Sequence, residues 1–294
     1  MGPAAASTRK RPAWLRVPAP AGEGYREVRA LVDHLGLHTV CHSAACPNLG
    51  DCWNQRTATF LLLGGVCTRR CGFCAVSKGP PPPLDPDEPE RVAQAVAALG
   101  LRYAVLTSVT RDDLADGGAT QFAATIRAVR MRVPGCRVEV LIPDFRGSCE
   151  ALRTVLEADP EVLNHNLETV PRLYPEVRPG ASYDRSLALL AQARGMRPET
   201  PTKSGLMLGL GETLDEVIAV MDELRTAGVS FLTLGQYLQP SPIHLPIRRF
   251  VAPREFEELA LRGRQLGFAH VEAGPLVRSS YHAAQTAASV PTAA

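Results

Sequence analysis

Lysine is scarce in this sequence. Only Lys10, Lys78 and Lys203 are lysines among the 32 lysine and arginine residues. We attribute this bias to codon composition, because either residue supplies surface charge. The net charge is +2, which gives no electrostatic reason to expect a nucleic acid or an anionic membrane as a partner. No run of about 18 apolar residues occurs, so no membrane-spanning segment is predicted.

The N-terminal stretch is basic but lacks an apolar core of the length that an export signal requires. We therefore expect a cytoplasmic protein. In that compartment the eight cysteines indicate metal binding or catalysis rather than a framework of disulfides. Two of them, Cys136 and Cys149, stand apart and are interpreted as buried or idle thiols. The other six fall close together: Cys41, Cys46, Cys52, Cys67, Cys71 and Cys74.

Apolar strands alternate with helices from Ala58 onwards. Continuous apolar runs predict strands at 59–65, 103–109, 137–143, 162–168, 202–208 and 231–237. Helical spacing predicts helices at 25–37, 90–99, 118–132, 148–158, 183–194, 213–227 and 254–266. Ser148 is a predicted N-cap, and Thr213 with Glu216 matches a capping box. Six such units are typical of an α/β fold with a parallel sheet, and a flavodoxin-like open sheet is the main alternative to a barrel.

The same patterns divide the chain into four parts. Residues 1–57 form an N-terminal extension that carries Cys41, Cys46 and Cys52, with 1–24 expected to be extended and 41–53 irregular. Residues 58–252 form the (β/α)6 core. Residues 253–282 add a helix and an extended stretch at 270–277, and the low-complexity tail 283–294 is predicted to be disordered.

Polar residues gather where the predicted strands end. In a barrel, the carboxyl ends of the strands surround the active site. The first cysteine loop follows strand one and therefore lies at the same end. The polar strand-end residues are Thr107, Ser108, Asn164, His165, Asn166, Glu168, Gln236 and Tyr237.

Cys67, Cys71 and Cys74 have the spacing C-x3-C-x2-C. Three neighbouring thiolates can bind three corners of a 4Fe–4S cube, which leaves the fourth iron without a protein ligand. The alternative is a structural zinc ion with three cysteines and one borrowed ligand. Arg69 and Arg70 lie inside this loop and are interpreted either as cations that favour the reduced cluster or as surface salt-bridge partners.

These motifs resemble the radical S-adenosylmethionine (SAM) superfamily and, in more detail, the lipoyl synthase family within it. The superfamily features are the C-x3-C-x2-C loop and the aromatic Phe73 before its last cysteine. The detailed likeness rests on Cys41-x4-Cys46-x5-Cys52-Trp53 and on Arg278-Ser279-Ser280-Tyr281. It also includes the segments 107–119, 164–187, 202–213, 233–241 and 267–283. It implies a partial TIM barrel whose mouth is closed by the N- and C-terminal extensions.

The resemblance implies two 4Fe–4S clusters. SAM is the cosubstrate and binds the open iron of the cluster on Cys67, Cys71 and Cys74. One electron from this cluster cleaves SAM and yields a 5′-deoxyadenosyl radical. The second cluster is the sulfur source and is held by the Cys41–Cys46–Cys52 set together with a serine, which by position is Ser280 rather than Ser279. Serine oxygen is a harder and weaker ligand than thiolate for cluster iron, which suits a cluster that is dismantled during turnover. Candidate contacts to SAM are Phe73, Thr107, Ser108, Asn164, Asn166 and Glu168.

Four further polar or charged residues and one glycine-containing stretch are also candidates for the site. Lys203, Arg178 and Arg278 are interpreted as carboxylate partners or internal salt bridges, and His165 as a structural histidine. The Gly209-Leu210-Gly211 stretch is a weak candidate for binding the methionine end of SAM.

The implied reaction inserts sulfur at C6 and C8 of an octanoyl chain that is amide-linked to a lysine. The implied partners are octanoylated lipoyl carrier domains of 2-oxoacid dehydrogenase complexes or the glycine cleavage H protein. A small electron donor such as flavodoxin or ferredoxin is implied as well. Two alternatives stay open: a biotin-synthase-like radical SAM sulfurtransferase, and a two-cluster electron carrier.

Overall fold

The computed structural model describes residues 11–288. Its strands are β1 (Thr59–Leu62), β2 (Val66–Cys67), β3 (Ser77–Lys78), β4 (Tyr103–Ser108), β5 (Arg137–Leu141), β6 (Val162–Asn164), β7 (Thr202–Leu208), β8 (Phe231–Gln236) and β9 (His270–Gly274). Its α-helices are α1 (Glu23–His34), α2 (Val40–Ser43), α3 (Leu49–Asn54), α4 (Glu88–Ala98), α5 (Ala119–Arg132), α6 (Cys149–Glu157), α7 (Tyr174–Val177), α8 (Tyr183–Met196), α9 (Leu214–Thr226), α10 (Pro253–Gln265) and α11 (Ala283–Ala288).

The main sheet has seven parallel strands in the order β1-β4-β5-β6-β7-β8-β9. The order never reverses along the sheet, whereas a flavodoxin-like sheet reverses at its switch point. Right-handed crossovers in one direction place the connecting helices on one face and curl the sheet into a barrel. No pairing joins β1 to β9 within residues 11–288. The fold is therefore an α/β partial barrel with a seam between β1 and β9, and the flavodoxin-like alternative is wrong.

Local sequence signals determine the helix starts. The Ser148 side chain accepts a hydrogen bond from the backbone N of Ala151 at 3.2 Å and begins α6. Thr213 and Glu216 form both bonds of a capping box at the start of α9. Both predicted caps are confirmed, because such caps use only residues within one helical turn.

The fourth core strand is shorter than predicted. Strand β6 ends at Asn164, although the expected strand continues to residue 168. Glu168 adopts a φ of 69°, which is incompatible with an extended strand. It rejoins the sheet only through an isolated bridge to Leu206, so residues 165–168 bend across the barrel end.

The extensions contain more regular structure than predicted. The segment expected to be irregular at 41–53 contains α2 and most of α3, and Thr39 caps α2 by accepting from the backbone N of His42. A 3-10 turn at Ala13–Leu15 and the start of α1 at Glu23 interrupt the expected extended region, whose residues 1–10 lie outside the described part. The stretch 270–277 supplies β9, a seventh strand of the sheet.

The tail expected to be disordered begins with helix α11, and residues 289–294 lie outside the described part. Ala283 is buried with Tyr103, Val105, Val162 and Phe231. These four residues lie near the amino ends of their strands. Burial of Ala283 ties the start of the tail to the barrel interior, which an alanine-rich composition alone does not reveal.

A buried ion pair lies inside the barrel below the strand ends. Lys203 on β7 donates to Glu139 Oε1 on β5 at 2.9 Å, and both side chains are at most 1% exposed. Tyr103 on β4 donates its hydroxyl to Glu139 Oε2 at 2.9 Å. Asn164 Nδ2 contacts Glu139 Oε1 at 3.4 Å. Of the two roles that the sequence allows for Lys203, the structure selects the internal salt bridge.

We expect Lys203→Met to destabilise the protein by about 3–5 kcal/mol, because Glu139 would stay buried without its cation. Chemical denaturation of the cluster-free protein measures this change. Arg29→Met is the control, since Arg29 and Asp33 form an exposed pair that contributes less than about 1 kcal/mol. Equal losses in the two variants would contradict this account of the interior pair.

Candidate active site

The carboxyl ends of the strands surround a cavity of about 320 Å³. Five of the six clustered cysteines line it: Cys41, Cys46, Cys67, Cys71 and Cys74. Cys52 is outside the lining, but its thiol interacts electrostatically with Cys41 and Cys46. Likewise Cys74 interacts with Cys71 and Cys67. The fold thus brings five of the six thiols to one cavity from loops that are separate in sequence, and Cys52 lies behind Cys41 and Cys46, close enough to interact with both.

All of these cysteines are free thiols, and for Cys41, Cys46, Cys52, Cys71 and Cys74 the environment disfavours the charged form. Burial raises the pKa of Cys52 to about 12 and that of Cys74 to about 11, and the neighbouring thiols of each group add to the effect. Burial also raises the pKa of Cys41, Cys46 and Cys71. Buried thiols of this kind become thiolates when a metal centre compensates their charge, and the binding releases protons.

Backbone contacts hold the first cysteine loop against the segment that follows β4. Thr68 donates from its backbone N and its hydroxyl to the carbonyl of Thr110, at 3.0 and 2.9 Å. The backbone N of Thr110 points at Cys67 Sγ at 3.3 Å, and that of Arg69 does so at 3.4 Å. Such N–H groups stabilise a thiolate and tune the potential of a cluster bound to it.

Arg69 anchors the loop through its side chain. It donates to both carboxylate oxygens of Asp112 at 2.7 and 2.9 Å, and to Asp144 Oδ1 at 2.6 Å. Arg185 donates to the other oxygen of Asp144 at 2.8 Å. Burial alone would raise the pKa of Asp144, but the hydrogen bonds and charge of Arg69 lower it well below its usual range. The prediction of a surface salt bridge for Arg69 was wrong in location, because the pair is buried.

The far side of the loop is held by residues that the sequence analysis did not name as candidates. Gly72 donates its backbone N to the carbonyl of Val177 and accepts from the backbone N of Leu245, each at 3.0 Å. His244 Nε2 lies 3.0 Å from the carbonyl of Cys74, and its Nδ1 lies 2.8 Å from Ser241 Oγ. The proline-rich stretch after β8 was the available signal, but turn residues do not reveal which loop they contact.

The second cysteine group is attached to the β1 edge of the sheet. Leu61 donates its backbone N to the carbonyl of His38 at 2.9 Å, and Thr39 bridges to Phe60. Trp53 is buried and stacks on Tyr25 with ring centroids 5.3 Å apart. These contacts place the loop of Cys41, Cys46 and Cys52 beside the first loop.

The C-terminal Arg-Ser-Ser-Tyr stretch reaches the same cavity. Arg278, Ser279 and Ser280 line it. The charge of Arg278 acts on both Cys46 and Glu168, and burial lowers the pKa of this arginine. The structure therefore brings both serines into the cavity that Cys41 and Cys46 line, and the choice of Ser280 over Ser279 stays a prediction.

Most of the predicted SAM contacts also meet in the cavity. Phe73, Thr107, Ser108, Asn166 and Glu168 line it. Three buried atoms there have no hydrogen-bond partner among the described residues: Ser108 Oγ, His165 Nε2 and Asn166 Oδ1. Asn164 is outside the lining and contacts Glu139 in the layer below. Unpartnered buried polar atoms require an explanation, and a bound polar ligand supplies one.

Glu168 lies in the bend after β6, and Arg178, which follows α7, contacts this bend. Arg178 donates to the carbonyl of Asn166 at 2.8 Å and to the hydroxyl of Tyr174 at 2.9 Å. Asn166 Nδ2 donates to Glu168 Oε1 at 3.1 Å. Burial raises the pKa of Glu168 although Arg178 opposes the shift. A cationic ligand in the cavity would complete the charge balance of this carboxylate.

Two weaker candidates have structural roles. His165 Nδ1 lies 2.8 Å from the carbonyl of Ile142, and burial lowers the pKa of the ring to about 4. The ring is therefore neutral, and Nδ1 carries the proton because a carbonyl only accepts. The backbone N–H groups of Gly209, Leu210 and Gly211 all donate to the side chain of Glu212, so they do not bind a ligand.

The two metal centres that the sequence allows for the first cysteine group differ in how they would arrange the thiols. Within the described part of the chain, no three His, Cys, Asp or Glu side chains are grouped as ligands of a single metal ion. A zinc ion would draw its sulfur ligands to about 2.3 Å from one point. An iron–sulfur cluster spreads its thiolates over several irons and fits a looser set.

The family comparison agrees with this arrangement. The profile of the Radical SAM superfamily matches residues 61–224. Among solved structures, methylornithine synthase shares the fold with a TM-score of 0.55 at 16% identity, over 81% of this chain and 67% of that one. A maturase of FeFe-hydrogenase superposes with a TM-score of 0.54 at 12% identity, over 83% of this chain and 53% of that one. The partial barrel and the loop of Cys67, Cys71 and Cys74 together define a radical SAM protein.

Curated relatives narrow the class. The chain is 58% identical to the lipoyl synthase of Rubrobacter xylanophilus over 93% of this chain and 85% of that protein. It is 59% identical to the lipoyl synthase of Methylococcus capsulatus over 95% of this chain and 87% of that protein. The chain therefore belongs to the lipoyl synthase family of radical SAM enzymes.

In residues 11–288, no helix is long and apolar enough to cross a membrane.

We expect Asp144→Asn to lower the stability of the cluster-free protein by about 3 kcal/mol, because Arg69 and Arg185 lose a buried counter-charge. The first cysteine loop should also exchange its amide hydrogens faster. Denaturation and hydrogen exchange followed by mass spectrometry measure these effects. Asp85→Asn is the control, because its pair with Arg91 is partly exposed. Unchanged exchange across residues 67–74 would show that Arg69 is not the anchor.

Proposed function

We propose that each group of three cysteines holds one 4Fe–4S cluster. Cys67, Cys71 and Cys74 hold the first, which keeps one iron for SAM. Cys41, Cys46 and Cys52 hold the second, with Ser280 as its fourth ligand. The observation that carries this proposal is that both groups and Ser280 meet at one cavity. When bound, the clusters would supply the electron that cleaves SAM and the sulfur that is inserted.

The chain's own residues would bind and orient SAM between the clusters. Phe73 lines the cavity from the first cysteine loop, and Thr107 and Ser108 line it from β4. Asn166 and Glu168 line it from the bend after β6, and the buried carboxylate of Glu168 suits an ammonium group. Asn164 acts from below, because its contact with Glu139 fixes the layer under the cavity. These assignments rest on the lining and on the unpartnered polar atoms.

The substrate we propose is an octanoyl chain on a lysine of a lipoyl carrier domain. The name of the relatives supports this choice, and so do the apolar residues among the lining, such as Val40, Leu61 and Met207. An apolar wall excludes water and competing hydrogen donors from the place where a C–H bond is broken. The carriers would be the lipoyl domains of 2-oxoacid dehydrogenase complexes or the glycine cleavage H protein.

A reducing compartment fits this chemistry. All eight cysteines are free thiols, and the six ligands that we propose must stay reduced before cluster loading. We therefore propose a cytoplasmic enzyme that receives its electrons from a small carrier such as flavodoxin or ferredoxin. A two-cluster electron carrier would not require the cavity between the two cysteine groups.

We expect the two cysteine groups to separate the two activities. Cys67→Ala should abolish SAM cleavage, because the first cluster loses a ligand beside the SAM site. Cys46→Ala should leave SAM cleavage intact but stop sulfur insertion. The measurements are 5′-deoxyadenosine and lipoylated peptide after dithionite reduction, together with an iron count of about eight in the wild type. Cys149→Ala is the control, since this exposed thiol contacts Gln192 on α8 and is outside the cavity lining. Loss of both activities in a folded Cys46→Ala protein would contradict the division.

We expect Ser280→Cys to retain the second cluster and slow its dismantling. A thiolate is a softer and stronger ligand than serine oxygen for cluster iron. The first turnover of sulfur insertion should therefore slow, while SAM cleavage continues. Quantifying singly and doubly thiolated product in time measures the effect, and Ser279→Cys is the matched control. Wild-type kinetics in Ser280→Cys would argue against a labile serine ligand.

A further inference from the structure

The stretch Leu276–Tyr281 crosses from β9 to the second cysteine group without belonging to a strand or helix. It begins in a turn in which Val277 donates its backbone N to the carbonyl of Gly274 at 3.1 Å. It includes Ser280 and ends just before α11. Within the stretch, Tyr281 donates its backbone N to the carbonyl of Arg278 at 2.9 Å. This turn shapes the segment around Ser280 but does not attach it to the barrel, so the position of the stretch depends on contacts with other elements.

Gly235 on β8 forms one side of this contact. A Cβ atom added at Gly235 would lie 2.1 Å from the carbonyl oxygen of Val277 and 3.3 Å from Arg278 Nη1. Gly235 does not have a positive φ, so its backbone geometry accepts any residue. The requirement for glycine is therefore the close approach of the C-terminal stretch. An alanine would displace that stretch by roughly 1 Å, because packed atoms do not interpenetrate.

Asn48 forms the other side. This side chain is buried, and its Nδ2 donates to the carbonyl of Leu276 at 2.8 Å. Asn48 lies between Cys46 and Cys52, and its own carbonyl accepts from the backbone N of Cys52 at 2.9 Å. One residue therefore connects the second cysteine loop to the C-terminal stretch. Since β1 and β9 do not pair, this bond spans the seam of the barrel.

Burial of Ala283 among Tyr103, Val162 and Phe231 holds the stretch beyond Ser280. The contacts at Leu276 and Val277 lie before Ser280 in sequence, and the contact at Ala283 lies after it. Ser280 is thus held between anchors on both sides.

We propose that Gly235 and Asn48 are positioning residues that set Ser280 against the Cys41–Cys46–Cys52 group. This inference rests on the proposed role of Ser280 as a ligand of the second cluster. Gly235 acts by leaving space for the Val277 carbonyl, and Asn48 acts by a directed hydrogen bond. The Asn48 side chain is outside the cavity lining and Gly235 has no side chain, so both residues act through Ser280.

The test compares Gly235→Ala and Asn48→Ala in the full-length protein. Hydrogen exchange in residues 276–283 of the cluster-free protein should become faster in both variants. In the reconstituted protein, the chelator bathophenanthroline should remove iron from the second group faster. Sulfur insertion should fall on the order of 100-fold, as misplacements of about 1 Å can cause. Dithionite-driven SAM cleavage should stay within about twofold, because neither variant removes a ligand of the first group.

Two matched controls accompany these variants. Gly195→Ala lies on α8 with open space around the added methyl group. Gln121→Ala removes a similar amide-to-carbonyl bond, from Gln121 on α5 to the carbonyl of Asp85 at 2.9 Å, together with a contact to Glu88, outside the lining of the cavity. Both controls should match the wild type in exchange of residues 276–283, iron release and product.

The variant Ser280→Ala distinguishes failure of the positioning role from failure of the proposed ligand role of Ser280. Unchanged exchange in both variants overturns the positioning role. Faster exchange with normal iron release and product also overturns it, provided that Ser280→Ala is impaired. If Ser280→Ala itself behaves as the wild type, the ligand assignment fails instead, and the exchange data still decide whether Gly235 and Asn48 hold the stretch.

Discussion

A buried positive charge lies at the centre of the first cysteine loop, and the site depends on its neutralisation. Asp144 faces Arg69 from the end of β5, and Asp112 faces it from the segment after β4. An unpaired guanidinium at this depth would be costly, so the loop can close only over these carboxylates. The thiols of Cys67, Cys71 and Cys74 take their direction from this closure. In a barrel, the loops that follow consecutive parallel strands meet at one end, so carboxylates from two such loops can both reach Arg69.

The partial barrel leaves a seam, and the second half of the site is built across it. One extension attaches to β1 and brings Cys41, Cys46 and Cys52, whereas the other follows β9 and brings Ser280. Asn48 connects the two extensions, and the absence of a side chain at Gly235 lets the C-terminal stretch lie against β8. Two cysteine groups that face one apolar-walled cavity suit a reaction that breaks a C–H bond and then delivers sulfur to the same carbon chain.

Prediction from sequence succeeded where the signal was local. The caps at Ser148 and Thr213 and the parallel α/β order need only neighbouring residues or a repeated period. Prediction failed where a residue's conformation depends on a partner that is distant in sequence. Glu168 bends away from strand geometry while Gly205 and Met207 bond its backbone, and Ala283 folds into the barrel instead of starting a disordered tail. Lys203 on β7 pairs with Glu139 on β5, two strands away in the sheet, and no spacing along the chain reveals that the two residues meet.

The sequence by itself determined the class of chemistry, since two sets of three closely spaced cysteines outside a disulfide framework require a metal centre. It also determined the alternation of strands and helices, because periodicity is a property of contiguous residues. Only the tertiary structure decided that both sets share one cavity, that Arg69 is an anchor, and that Gly235 and Asn48 hold the stretch with Ser280. These relations join residues that lie tens to hundreds of positions apart, and they arise from the register of strands and the closure of loops rather than from any local pattern.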